Sequence, residues 1–547
     1  MAIPWRQMTA AAVAGDACLL LMLQVRSREV LVETFAILWL MQLVAWGIWH
    51  MYLYPHYASP LRHLPQPKDG HWLYGHRSGL HPGDIGVDAR KWVNSIKHDN
   101  FIRYLDFFNS ETLLVTSPRA ISDILVSNNY NFPRSFVSRN LVGRYTGYGI
   151  GVAMGDEHKA QRRKLIPAFS LKVIRPLYPV FWAKGEETVM AMTAAAESSN
   201  SIIDIHSWAL RCAIDVIGIA SMGVDFGAVL DDNPPLPRAY EQLTAGSWQD
   251  GLLLLLEMVV SKETVSRLPL RRSREIDESL TLIHAACHGG IRITKKALEA
   301  GTLTRPNICS VGLEAGFSDE LMVEQLTTAL FGGQHAISKT LTAAVYSLSC
   351  FPEKQQRLRD ELRSHLPQFY RSDSCHRPSY ADIDGLPYLE AVVKEVLRKH
   401  GTGTSSREAK CDVIVQGVHI PRGTAIKLAT HATSVDPELW GEDAAEFRPE
   451  RWLVAAAAAA NDDSGVANGA GRDAKIGGAS SNYAFLPFMH GPQQCIAARF
   501  AQAEVACLLA AWFGRLEFGL ADEALRDEGR LGRRPMESEM LVRVRAV

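Results

Sequence analysis

The sequence predicts a mainly helical chain with small β-sheets, an α+β arrangement, behind an N-terminal membrane-spanning helix. Three observations predict it. Phe35 to Tyr54 (FAILWLMQLVAWGIWHMYLY) is a run of twenty residues without a Lys, Arg, Asp or Glu. Twenty helical residues rise about 30 Å, the thickness of a hydrocarbon core. Further on, apolar residues recur at helical spacing over long stretches. Alternating, strand-like runs are short, such as Thr112-Leu-Leu-Val-Thr116.

The N-terminus carries two apolar segments. Thr9 to Leu23 is short and interrupted by Asp16, and Phe35 to Tyr54 is long enough to cross a bilayer. The second lies too far in for a signal peptide, and no small-residue cleavage site comes after it. Its C-terminal neighbour, PHYASPLRHLPQPKDGHW, is proline-rich and holds Arg62, His63 and Lys68, a stiff hinge on the cytoplasmic side. Arg26 and Arg28 between the segments sit awkwardly on a lumenal face, so a single crossing is expected and the role of the first segment stays open. Residues 1–54 are therefore read as an anchor and 55–547 as one large domain, since no linker divides it.

Composition bounds the function. Of 547 residues 47% are hydrophobic and 21% charged, as in a globular protein with a sizeable core. A net charge of −1 argues against nucleic acid as a partner. Nine cysteines without a CxxC pair fit a reducing compartment.

In chain order, residues 92–126 mix a helix with short strands. In Gly155-Asp-Glu-His-Lys-Ala-Gln-Arg162, His158 and Arg162 are four apart and share a helix face suited to an anion. Arg163 and Lys164 read as solvated. Residues 185–300 form several amphipathic helices, interrupted at Asn233-Pro-Pro, with Leu252 to Val260 as core or pocket wall. Ser318 caps a long helix that ends at Phe351-Pro352, and Asp319 and Glu320 suit its first turn. At its middle stands Leu330-Phe-Gly-Gly-Gln-His-Ala-Ile-Ser338. Each mid-helix glycine costs about 1 kcal/mol against alanine, so Gly332 and Gly333 need a reason: a flat ligand or a close neighbouring helix. Leu386 to Arg398 is an amphipathic helix on which Glu395 and Arg398 can pair. Asp412 to Ala425 reads as short strands broken at Gly417 and Pro421. Residues 454–481, with six consecutive alanines and then Asn, Asp, Gly and Ser, read as a mobile surface insertion.

The chain is organised around Phe485-Leu-Pro-Phe-Met-His-Gly-Pro-Gln-Gln-Cys495 and the helix from about Ala497 to Phe513. Gly491 and Pro492 make a turn that delivers Cys495 to the helix start, where free amides and the dipole favour a thiolate. A thiolate is a strong axial ligand for haem iron, and its electron push favours O–O cleavage.

Phe488, Gly491 and Cys495 resemble the haem-binding loop of the cytochromes P-450, and three further stretches occur in the expected order. His158 and Arg162 resemble the pair that holds the haem propionates, and Arg407 the arginine that reaches a propionate from before a β segment. Gly332 and Gly333 resemble the oxygen-binding kink. Glu395 and Arg398, with Arg451 from Glu446-Phe-Arg-Pro-Glu-Arg451, resemble a buried network that holds the cysteine loop. The resemblance implies haem b with Cys495 as the metal ligand. It also implies electrons from NADPH through cytochrome P-450 reductase, a lipophilic small-molecule substrate and an endoplasmic reticulum anchor with the catalytic domain cytosolic. The loop after the anchor resembles those of filamentous fungi, whose members often tailor secondary metabolites.

Four positions depart from the family pattern. His335 and Ala336 stand where an acid and a threonine relay protons, with Ser338 about 200° round the helix from the threonine position. Gly401 replaces a usual proline ahead of a pocket-lining stretch that runs to Ser406. Gln493 replaces a propionate-binding Arg or His, and Ala497 a glycine. The reading is a monooxygenase with Phe331, His335 and Ala336 facing the substrate. The departures motivate two alternatives, a haem-thiolate isomerase or dehydratase and a non-catalytic haem-binding homologue.

Overall fold

The computed structural model describes residues 5–22, 28–77, 84–244, 249–251, 253, 256, 270–370, 376–401, 405–453, 477–526 and 539–547. Most of Leu252 to Val260 and of the 454–481 insertion lies outside them, as do residues 402–404. The principal elements run α1 (Trp5–Met22), α2 (Arg28–Ile48), α3 (Asp84–Ser95), β1 (Phe101–Leu105), β2 (Glu111–Val115), α4 (Phe136–Thr146), α5 (Gly155–Leu165), α6 (Tyr178–Ser198), β3 (Ile202–Asp204) and α7 (Ile205–Met222). They continue as α8 (Pro235–Thr244), α9 (Arg271–Glu299), α10 (Asp319–Cys350), α11 (Pro387–His400), β4 (Ser406–Glu408), β5 (Val413–Val415), β6 (Val418–Ile420), β7 (Ala425–Leu428), α12 (Ala498–Phe513), β8 (Leu516–Leu520) and β9 (Leu541–Ala546). The expected α+β class holds.

Two compact units divide the chain: Met1–Pro133 with Ser405–Ala432, and Arg134–Thr404 with Thr433–Val547. The first holds a four-stranded sheet in the order β1-β2-β7-β4, antiparallel except where β2 pairs with β7. Its core gathers Trp92, Ile102, Tyr104 and Leu114 under α3. β5 and β6 form the hairpin expected at Gly417, where Gln416 and Gly417 both take positive φ (47° and 78°). α2 continues without a break into a wider-wound π-helix, Trp49–Ala58. The combined helix Glu29–Ala58 is long and apolar enough to cross a membrane, and its apolar window is not buried within the protein. α7 passes the same length and composition test, but 72% of it is buried in the core.

The second unit is built on α10, which packs against α7, α9, α11 and α12. The sequence starts α10 as expected: the Ser318 hydroxyl accepts the Leu321 N–H at 3.3 Å, with Asp319 and Glu320 in the first turn. Every residue from Leu341 to Cys350 is buried, so the last ten residues of α10 are all core. α11 begins at Pro387, and the Glu361 carboxylate accepts the N–H groups of Tyr388 and Leu389, each at 2.8 Å. Those are two of the orphan donors that every helix start leaves. A three-stranded sheet, β3-β9-β8, closes this unit.

Candidate cofactor site

The cysteine loop is fixed by three nested backbone bonds. Met489 N–H donates to Leu486 (3.1 Å), Gln494 N–H to Gly491 (3.0 Å) and Cys495 N–H to Phe488 (2.9 Å). Gly491 takes φ 79°, and Met489, which is not glycine, takes φ 56°. A left-handed methionine costs about 1–2 kcal/mol, so the neighbouring bonds must hold it there. α12 starts at Ala498, close to the expected Ala497, with Ala501 N–H donating to Ala497 at 2.9 Å. The Cys495 sulfur itself accepts the Ala497 N–H. The residue is exposed, although its N–H is engaged and protein surrounds the thiol on most sides. That is the condition of a ligand atom at the floor of a cavity.

The charge state corrects one expectation. The amide at the helix start, Arg162 and Arg134 all favour the thiolate, but desolvation outweighs them and the thiol is raised above its ordinary value. The local dipole effects have the expected sign, and a metal bound at the sulfur removes a coordinated thiol's proton outright.

Arg162 donates from Nη1 to the Gln494 carbonyl at 2.8 Å, so α5 braces the loop directly beside the cysteine. His158, one turn earlier on α5, is buried, while Arg163 and Lys164 are exposed as expected. Arg134 is an addition that the sequence does not announce. It faces Cys495 electrostatically, its guanidinium is lowered by desolvation, and among the described residues it makes no hydrogen bond or ion pair. A lone arginine after a proline gives no sequence signal of this. Arg407 belongs to the first unit, on β4, where it is buried and Nε donates to Ser405 Oγ at 3.1 Å.

On α10 the two glycines separate. A Cβ on Gly333 would lie 2.7 Å from Ile217 Cγ1 of α7, whereas one on Gly332 would meet nothing within 4 Å. The room expected at both is therefore found only at Gly332, and Gly333 serves close helix packing. Phe331 and His335 stack at 6.0 Å between centroids, with Tyr145 of α4 and Tyr240 of α8 at 6.4 and 6.3 Å from Phe331. Ala336 is half-buried, and its carbonyl accepts Thr340 Oγ1 at 2.8 Å. The Ser338 hydroxyl turns back to the His335 carbonyl at 3.2 Å, which agrees with its poor placement as a threonine substitute.

The expected network is present and larger than expected. The fully buried Glu395 carboxylate accepts five bonds: two from Arg398 (2.8 and 2.9 Å), one from Arg451 (3.2 Å), one from the Arg448 N–H (2.8 Å) and one from Trp452 Nε1 (3.0 Å). Arg398 also donates to the carbonyls of Ser434, Ala444 and Glu446. Sequence reasoning misses Trp452, although a buried indole N–H wants an acceptor. Its ring packs at 5.0 Å from Phe485, the first residue of the cysteine loop. The network thus supports that loop through an aromatic contact.

Fold and site together define a class: a mainly helical protein that offers an exposed cysteine at the start of a core helix, with arginines beside it, as the axial ligand of a haem. The residues present fit that group. Cys495 is reachable, the cationic side chains of Arg134 and Arg162 lie beside it, and Gly332 opens onto free space. The family model for cytochrome P-450 matches residues 65–532, and the chain belongs to that family. It is 36% identical over 89% of both chains to cytochrome P-450 monooxygenase sphH of Aspergillus fumigatus. To buaD of Petromyces alliaceus it is 34% identical, over 91% of this chain and 89% of the relative. To FUM15 of Gibberella moniliformis it is 35% identical, over 88% and 87%. Both of these are also named cytochrome P-450 monooxygenases.

Proposed function

We propose that the chain is a monooxygenase of fungal secondary metabolism that inserts one oxygen atom from O2 into a lipophilic small molecule. The observation that carries this reading is the bare, reachable Cys495 sulfur on a loop whose backbone bonds leave it no freedom. Bound there, haem supplies oxygen activation, with the thiolate's electron donation favouring O–O cleavage. His158, Arg162 and Arg407 hold the propionates, and Arg134 joins them in place of the charge that Gln493 lacks. Electrons come from NADPH through a cytochrome P-450 reductase. Phe331, His335 and Ala336 face the substrate, Gly332 leaves space for oxygen, and His335 is the proton source on that turn. Glu395, Arg398 and Arg451 hold the loop and take no part in chemistry. Residues 1–54 anchor the chain in the endoplasmic reticulum membrane, and 55–547 form the cytosolic catalytic domain.

A second reading, an isomerase or dehydratase, is favoured by one observation. The Ser338 hydroxyl is committed to the helix backbone, so the turn carries no acid–alcohol pair. The reduced carbon monoxide difference spectrum of wild type and Cys495→Ala tests the site: a thiolate-type Soret band must be present in the first and lost in the second. Persistence of that band without the sulfur overturns the assignment. Turnover that continues without NADPH and reductase selects the second reading.

A further inference from the structure

The first two helices carry more than an anchor. In α1, Met8 and Ala12 are buried and Gly15 and Asp16 half-buried, whereas Gln7, Val13, Ala14 and Cys18 are exposed. Spacings of four, three and one residues mark one helix face. α2 presents a matching stripe, Leu31, Thr34, Leu38, Gln42 and Trp46, all half-buried, while Ile37, Met41 and Val44 are more than half exposed. A Cβ on Gly15 would lie 2.6 Å from Leu38 Cδ1, and Thr34 Oγ1 donates to Asp16 Oδ1 at 2.8 Å. Contacts that climb α2 as they descend α1 make the pair antiparallel. Ala12 and Gly15 permit the close approach that helix pairs in lipid use in place of a hydrophobic driving force.

The register sets the depth. From Asp16 back to Trp5, α1 climbs about 16 Å, the rise that carries α2 from Thr34 to about Ala45. Trp5 is therefore level with Trp46, and Met22 with Arg28. A hydrocarbon core of about 30 Å between those levels holds both helices. It leaves Trp46 and Trp49 as an aromatic belt at one interface, level with the start of α1, and the start of α2 with Glu29 at the other. The π-helix Trp49–Ala58, with its tyrosines and histidines, then lies at the first interface. Setting the core at Phe35 to Tyr54 instead would draw Arg6 more than about 10 Å into hydrocarbon, at a cost that lipid-buried arginines rarely escape. Asp16, level with Thr34, falls inside the core on the first of these registers, and Thr34 is the hydrogen-bond partner such a residue requires.

We propose that α1 and α2 cross the bilayer as a helical hairpin, closed by the Asp16–Thr34 bond. The start of α1 then shares a side with residues 55–547, and residues 23–27 lie opposite. Lys and Arg near the helix ends agree, with Arg6, Arg62 and Lys68 on the first side against Arg26 and Arg28. The hairpin rests on the membrane anchoring of the proposed function.

The test uses the full chain in sealed microsomes. One variant carries an Asn-Ser-Thr glycan acceptor in a flexible insert between Val25 and Arg26, and the other carries the acceptor with an epitope ahead of Trp5. The hairpin requires a one-glycan mobility shift, reversed by endoglycosidase, in the first variant only. It also requires loss of the epitope when protease is added outside. A shift in both variants, with the epitope protected, is a single crossing by α2 and overturns the hairpin. No shift in either variant, with the chain still resisting carbonate extraction, overturns it too and leaves the anchoring intact. Release of the chain by carbonate overturns both.

Discussion

Replacing Glu395 with glutamine should cost about 3–5 kcal/mol, the range for removing one partner of a buried ion pair. The size comes from the donors that converge there. Both carboxylate oxygens are used, one by Arg398, Arg451 and the Arg448 N–H, the other by Arg398 and Trp452. An amide keeps one acceptor oxygen and turns an NH2 toward donors whichever way it is flipped. It also leaves Arg398 and Arg451, 1% and 7% exposed, without their shared anion. Glu390→Gln, on the same helix, is the reference. That carboxylate pairs with Lys394 at 2.6 Å but is 59% exposed, so its loss should cost no more than about 0.5 kcal/mol. Urea denaturation of the detergent-solubilised haem protein, followed by tryptophan fluorescence and by the Soret band, compares the two. The double variant Glu395→Gln, Arg398→Met should recover part of the loss, since it removes the stranded charge. If Glu395→Gln unfolds within about 0.5 kcal/mol of Glu390→Gln, the network is not what holds this region.

On α10, Gly333→Ala should lose about 1–3 kcal/mol by forcing a methyl against Ile217, whereas Gly332→Ala should gain up to about 1 kcal/mol from helix propensity. Equal denaturation midpoints for the two would refute the separation. Glu504 on α12 is fully buried, neither oxygen has a hydrogen-bond partner among the described residues, and burial raises its carboxyl well above the ordinary 4.5. The folded state therefore keeps a proton that the unfolded state releases above that value, and stability falls as pH rises through this window by up to about 1.4 kcal/mol per unit. Glu504→Gln removes the penalty, so its advantage over wild type should grow from pH 5 to pH 8 in urea titrations. An advantage that shrinks over that interval contradicts the assignment.

What the sequence discloses is whatever a few neighbouring residues decide. Gly491 and Pro492 announce the turn before Cys495, Ser318 announces the start of α10, and alternation over 412–425 announces β5 and β6, because each signal acts within a few residues of chain. Arg134 cannot be found that way. Nothing beside it in Asn131-Phe-Pro-Arg-Ser is periodic, and its meaning comes from facing a cysteine far along the chain. The same limit explains the thiol. Helix-start amides and arginines are local and act with the expected sign, but desolvation is a sum over the whole surrounding fold, and it prevails. It explains the glycines as well: Gly332 and Gly333 are adjacent and alike in sequence, and only Ile217 of α7 assigns one to packing and the other to open space. α1 sits between these cases. Its periodicity is weak because alanine and glycine fill six of the eight positions from Ala10 to Ala17, and small residues mark a contact face only once the opposing helix is in place. Asp16, which counts against a membrane helix when α1 is read alone, becomes the residue that joins it to α2.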